Sequence, residues 1–121
     1  MVSHDLKFIS IDSLATARKE IQNIRSDPKS LDIMAPKAVF KIIKLEKVVL
    51  QDAIIIKQDM LSLGGEVAIP QDAFELKKTS ADILMMGTVT QLQGLVGKLQ
   101  RHYPRLQAIA VELAVLLEKI S

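Results

Sequence analysis

Between Lys57 and Ala68 the pattern of the chain changes from helical to strand-like across a pair of glycines, Gly64-Gly65. Upstream, Leu50, Ile54, Lys57 and Leu61 fall on adjacent turns, and Ala53, Ile56, Met60 and Leu63 widen that apolar face, so Leu50 to Leu63 reads as a helix. Gly64 stands where a left-handed residue would close it. Glu66-Val67-Ala68-Ile69 then reads as a strand ended by Pro70. A helix that hands over directly to a strand places the chain among α/β folds.

The flanking segments continue the alternation. Phe8-Ile9-Ser10-Ile11 reads as a short strand, with Asp12-Ser13 as cap residues for a helix whose apolar face is Leu14, Ala17, Ile21 and Ile24. That helix is expected to end near Arg25, ahead of the turn signal Asp27-Pro28-Lys29-Ser30. Leu31 to Met34 reads as an apolar run stopped by Pro36, which fits a strand end. Val39 to Leu45 fits either a strand or part of a helix, and its β-branched residues favour the strand. Gln71 to Ser80 is polar, a loop with one helical turn around Phe74. Ile83-Leu84-Met85-Met86, bounded by Asp82 and Gly87, has the continuous apolar character of a strand buried on both faces. A helix follows from Thr88 with Leu92, Leu95, Val96 and Leu99 on one face. After Pro104 another carries Leu106, Ile109, Leu113, Leu116 and Ile120. The expected architecture is therefore one α/β domain over residues 1–121, with residues 1–6 a flexible terminus. Its small sheet is expected to hold three to five strands, partly parallel and covered by helices, ahead of a long carboxyl-terminal helical segment.

Composition narrows the function classes. Of 121 residues, 49% are apolar but only 3% aromatic, so the core is aliphatic. A formal net charge of +2, spread along the chain, and the shortage of aromatic stacking platforms argue against a nucleic-acid partner. The longest apolar run, Ile109 to Leu117, is broken by Glu112 and falls short of the roughly 20 residues of a membrane span. The amino terminus from Met1 to Lys7 has neither a signal-peptide core nor an Arg-rich transit pattern, and no cysteine occurs, so a cytoplasmic protein is expected. His4 and His102 lie far apart without carboxylates at ligand spacing, and no metal or cofactor is expected.

Several residues could carry a ligand, each with a plainer alternative. Gly87-Thr88 begins a helix, where free N–H groups and the positive dipole end attract anions, but Thr88 also suits an N-cap and Gly87 a tight strand-to-helix turn. Lys37 lies in a proline-marked segment where a buried ammonium could bind an anion, although lysines are usually exposed. Gln58 and Ser62, four apart, share a helix face. Gly64-Gly65 could approach a phosphate but lacks the spacing of a P-loop or a dinucleotide fingerprint, and a helix stop is the plainer role. No arrangement of nucleophile, base and orienting group appears, so no catalytic residue is assigned.

The last helical segment is apolar around most of its circumference, beyond what a surface helix of a small monomer carries. Ile109, Leu113, Leu116, Leu117 and Ile120 are accordingly candidates for a contact with a second copy or a protein partner, unless the helix is buried by its own domain.

Four segments in order carry a family resemblance: Phe8 to Leu14, Ile33-Met34-Ala35-Pro36-Lys37-Ala38-Val39-Phe40 with Ile42 to Leu45, Ile56 to Ala68, and Asp82-Ile83-Leu84-Met85-Met86-Gly87-Thr88. Over roughly residues 7 to 100 the chain resembles the amino-terminal extension of long-form bacterial dihydropteroate synthases. In that family the condensation of pterin and p-aminobenzoate belongs to the TIM barrel that follows, and a barrel needs about 250 residues. The resemblance therefore implies an accessory, regulatory or interaction domain tied to folate or one-carbon metabolism, non-catalytic by itself. The alternative is a binding protein or enzyme for a phosphorylated or pterin-like molecule held near Lys37, Gly64-Gly65 and Gly87-Thr88.

Overall fold

The computed structural model describes residues 4–75 and 79–121. The part of the expected flexible terminus at residues 1–3, and residues 76–78 of the expected loop, lie outside the described residues.

Helix α1 spans Leu14–Asn23, and Ser13 caps it by accepting the Thr16 N–H through its hydroxyl. A 3-10 turn, Pro28–Ser30, leads into the single-turn helix α2, Leu31–Met34, and a second 3-10 turn, Ala35–Lys37. Leu31 to Met34 is thus helical and not a strand: Asp27 caps the first turn, and Pro36 sits early in the second, where its missing N–H costs nothing. Strand β1, Phe40–Val49, follows, then helix α3, Leu50–Ser62, and strand β2, Glu66–Ala68. A 3-10 turn at Ala73–Glu75 precedes strand β3, Ser80–Thr88, helix α4, Val89–Leu99, and helix α5, Pro104–Glu118. Phe8 to Ile11 forms no strand; Leu6 and Phe8 stand free, and Ile11 alone reaches an apolar cluster.

The strand order is β1-β3-β2, and β3 is antiparallel to both neighbours. This overturns the expected partly parallel sheet. Both β1 and β2 are antiparallel to β3, so they run in the same direction, as a helical crossover through α3 allows, but β3 occupies the place between them. The unit is a split β-α-β. The continuous apolar run of β3 also has a different cause from the one expected: Ile83 and Met85 are buried against the helices, while Leu84 is 38% exposed on the other face. Among the described residues only one face is covered, as antiparallel sheets permit.

Strand β1 runs past Leu45 because of a bulge. Leu45 pairs with Ile83 and Val48 with Ala81, so three steps on β1 match two on β3. The extra residue brings Leu45 and Val48 to the same side of the sheet, and Val48 enters the core. Lys47 takes the left-handed conformation, φ 56°, and its N–H donates to Asp82 Oδ1 at 3.0 Å.

The main core lies between sheet and helices: Val48, Val67, Ile83 and Met85 meet Ala53, Ile56 and Met60 of α3, Leu92, Leu95 and Leu99 of α4, and Leu106, Ala110, Leu113 and Leu117 of α5. It is aliphatic, as the composition dictates. A smaller cluster of Ala17, Ala35, Val39 and Val89 seats α1 and the Ala35–Lys37 turn, with Ile120 against it. The chain end is tied there as well, through the Ala15 N–H donating to the Ser121 carbonyl at 2.9 Å.

Candidate functional site

The structure brings four of the six ligand candidates together around Met60 and Gln91. Gly64 has φ 89° and closes α3: its N–H donates to the Leu61 carbonyl at 3.0 Å and that of Gly65 to the Met60 carbonyl at 3.1 Å, a Schellman motif. Thr88 caps α4, its Oγ1 accepting the Gln91 N–H at 3.1 Å while Gln91 Oε1 accepts the Thr88 N–H at 2.9 Å. The convergence is filled from within. A Cβ added to Gly65 would come 2.5 Å from Met60 Cε, one at Gly87 would overlap the same methyl group, and one at Gly64 would lie 3.2 Å from Gln91 Nε2. Met60 is fully buried and fills the space beside Gly65 and Gly87, and the Gln91 side chain, which closes the capping box, lies beside Gly64. Of the other two candidates, Lys37 belongs to the turn Ala35–Lys37, which packs on α4 shortly before Phe40, the strand partner of Thr88. Lys37 is exposed on its 3-10 turn, and Gln58 is exposed on α3.

The strongest polar constellation was not visible in the sequence. Asp52, in the first turn of α3, is only 2% exposed. Its Oδ2 accepts from Arg105 Nε at 2.8 Å and its Oδ1 from Arg105 Nη2 at 2.9 Å, and the Tyr103 hydroxyl donates to Oδ1 as well. The Arg105 guanidinium lies 4.9 Å from the Tyr103 ring centroid. The hydrogen bonds from Arg105 hold the Asp52 carboxyl below the usual carboxylate range against the opposing effect of burial, and the Tyr103 hydrogen bond adds to them. Donating to the Asp52 carboxylate pushes the pKa of the Tyr103 hydroxyl up. A cleft of about 280 Å³ opens beside this cluster, lined by Glu46, Lys47, Asp52, Arg105, Ile109 and Glu112. Both carboxylate oxygens accept hydrogen bonds, so Asp52 clamps α3 to the start of α5 at the wall of the cleft. In sequence Asp52 is one acid in a helix and its partners lie 51 and 53 positions away, a separation no local pattern reports.

Two further contacts fix the same region. His102 Nε2 and Asp59 Oδ2 are 2.9 Å apart, and Lys57 Nζ donates to Glu66 Oε1 at 2.9 Å and to the Val67 carbonyl at 2.7 Å. Lys57 thus crosses to β2. The buried face of α3 is Leu50, Ala53, Ile56 and Met60, while Leu61 is 47% exposed.

Of the candidate contact residues on α5, Leu113 and Leu117 belong to the core, Ile109 and Ile120 pack against it, and Leu116 is exposed. Val111 and Val115, one turn apart, form an exposed apolar pair that was not among the expected residues, while Leu116 lies about 100° further round the helix, beside Ile109 and Glu112. A second apolar surface is the open face of the sheet, where Ile42 pairs with Met86 and Lys44 with Leu84, and Phe40 and Ile42 are 57% and 62% exposed. Among the described residues no helix is long and apolar enough to cross a membrane, and no group of three metal-ligating side chains occurs.

No protein-family model matches the chain, and no solved structure gives a significant match. Over 108 residues the chain is 28% identical to the bifunctional dihydropteroate synthase/dihydropteroate reductase of Helicobacter pylori (strain ATCC 700392 / 26695). The aligned part is 89% of this chain but 28% of the relative's length, and it supports a relation to the dihydropteroate synthase family.

Proposed function

We propose that this chain is a dihydropteroate synthase-related interaction module, non-catalytic by itself, that docks on a cytoplasmic enzyme of folate or one-carbon metabolism. The observation that carries this reading is the filling of the glycine convergence by Met60 and Gln91: the segments best suited to a phosphate are spent on a helix stop and a capping box. The exposed apolar pair Val111 and Val115 supplies a surface for the partner. Size-exclusion chromatography of the purified chain with the dihydropteroate synthase of the same organism tests it. Co-elution that is lost in a Val111→Glu, Val115→Glu variant is expected, and separate elution of the two at tens of micromolar overturns the reading.

One finding favours a second reading. The relative's name includes reduction of dihydropteroate besides its synthesis, and the 108 aligned residues are fewer than half of the about 250 that a TIM barrel requires. A pterin-binding role would then centre on the cleft beside Arg105, since the glycine convergence is occupied. Thermal shift with pterins, folates and phosphorylated metabolites distinguishes the readings, because a ligand that binds only the folded form raises its stability. A rise with dihydropteroate that an Arg105→Met variant lacks favours the second reading; flat curves leave the interaction module.

A further inference from the structure

We infer that two copies of this chain exchange their amino-terminal arms, the arm of each adding a strand to the free edge of β1 in the other. Three observations meet here. Strand β1 is at the end of the sheet order, so among the described residues its outer backbone edge has no partner strand. Its open face bears Phe40 and Ile42, 57% and 62% exposed, beside Met86 and Leu84 on β3. The arm carries Leu6 and Phe8, 97% and 104% exposed, two apart and so on one side of an extended chain, where they would continue the row of Phe40 and Ile42.

The geometry of the tether directs the arm to another molecule. Lys41 Nζ donates to the Asp12 carbonyl at 2.8 Å, and Ile11 packs into the cluster of Ala17, Ala35 and Val39, so the arm is fixed at its base beside the start of β1. In its own molecule the arm does not lie on that edge: residues 4–12 form no strand, and Leu6 and Phe8 belong to neither apolar cluster. Kept extended, residues 4–11 reach about 26 Å. That is ample to run along a neighbour's strand. Backbone hydrogen bonds to an open edge supply the affinity in such strand addition, and side chains on alternate positions supply the fit. Arm and edge occur once in each copy, so a two-fold arrangement satisfies both arms and both edges at once and closes as a dimer.

The test uses the whole chain. Light scattering on the chromatographic peak is expected to give twice the 13.4 kDa of one copy, falling to 13.4 kDa in a Leu6→Asp, Phe8→Asp variant whose circular dichroism is unchanged. The sequence contains no cysteine, so introduced thiols report single contacts. Mixing a Phe8→Cys chain with a Phe40→Cys or Ile42→Cys chain under oxidation is expected to give a disulfide-linked heterodimer. A monomeric native chain, a dimer that survives the arm variant, or an intramolecular disulfide in a Phe8→Cys, Ile42→Cys chain without a crosslinked heterodimer overturns the inference.

Discussion

Gly87 on β3 and Met60 on α3 share one space: the Met60 methyl group lies where a Cβ on Gly87 would be. Gly87 is buried and Met60 is 0% exposed, so a Cβ at Gly87 would have to displace the Met60 methyl group, and the Gln91 side-chain oxygen beside it, within the packed core. Gly87→Ala is therefore expected to destabilise the chain by about 2 kcal/mol, in the range of overpacked cores. Met60→Leu, a nearly volume-conserving change that shortens the side chain, is expected to cost about 1 kcal/mol alone and to absorb part of the Gly87→Ala cost in the double variant. Urea denaturation of the four proteins closes the cycle, and strictly additive losses would show that the two residues do not compete.

The bulge in β1 makes a second prediction. Lys47 adopts φ 56°, which costs a non-glycine residue some strain, and its N–H is held by Asp82. Lys47→Gly is expected to leave stability unchanged or raise it by up to about 1 kcal/mol, because relief of strain opposes the larger entropy of a glycine in the unfolded chain. Asp82→Ala removes the acceptor and is expected to cost about 1 kcal/mol. Thermal melts of both variants measure the contrast; a loss in Lys47→Gly as large as that in Asp82→Ala would mean that the lysine side chain itself matters here.

The same bulge shows how far the sequence was legible. Val39 to Leu45 fits a strand by its β-branched residues but also part of a helix, and its apparent end at Glu46-Lys47 is the extra residue of a bulge, after which Val48 resumes on the core side. Local signals with a local cause read through correctly: the stop at Gly64, the opening of α4 at Thr88 and the turn after Arg25 each depend on residues within a few positions. Pairing between distant segments did not. That β3 inserts between β1 and β2, or that Asp52 meets Arg105, depends on which surfaces meet after collapse, and periodicity carries no such information. Gly64-Gly65 and Gly87-Thr88 were legible as a helix stop and a helix start, but the packing of Met60 and Gln91 against them is a tertiary property.

The Asp52 clamp gives stability a dependence on pH. The folded-state pKa of Asp52 is lowered, chiefly by Arg105, so its contribution is present above the unfolded value of about 3.9 and is lost as pH falls below that. The Tyr103 hydroxyl is raised, so its contribution is complete below the unfolded value of about 10 and is lost as pH rises beyond it. Arg105→Met leaves a buried carboxylate without its main partner and is expected to cost about 2 kcal/mol at pH 7. That gap should narrow towards pH 3, where protonation relieves the stranded charge. Tyr103→Phe should cost about 1 kcal/mol at pH 7 and abolish the alkaline loss from this site. Denaturation curves at pH 3, 7 and 10.5 test both, and a gap for Arg105→Met that is the same at pH 3 and pH 7 would remove Asp52 as its cause.

Helix α5 presents a core face and an exposed apolar face. Leu113 is 4% exposed inside the main core, whereas Val111 and Val115 are 60% and 52% exposed and belong to no core cluster. Leu113→Ala is expected to cost about 3 kcal/mol through lost burial and the cavity left behind. Val111→Ala and Val115→Ala should change stability by no more than about 0.5 kcal/mol, because alanine's better helix propensity offsets the little packing removed. If the exposed pair binds the proposed partner, those two variants should weaken co-elution while their melting temperatures stay near the native value. A mutant series in which binding follows melting temperature, and not position on the helix, would assign α5 to folding alone.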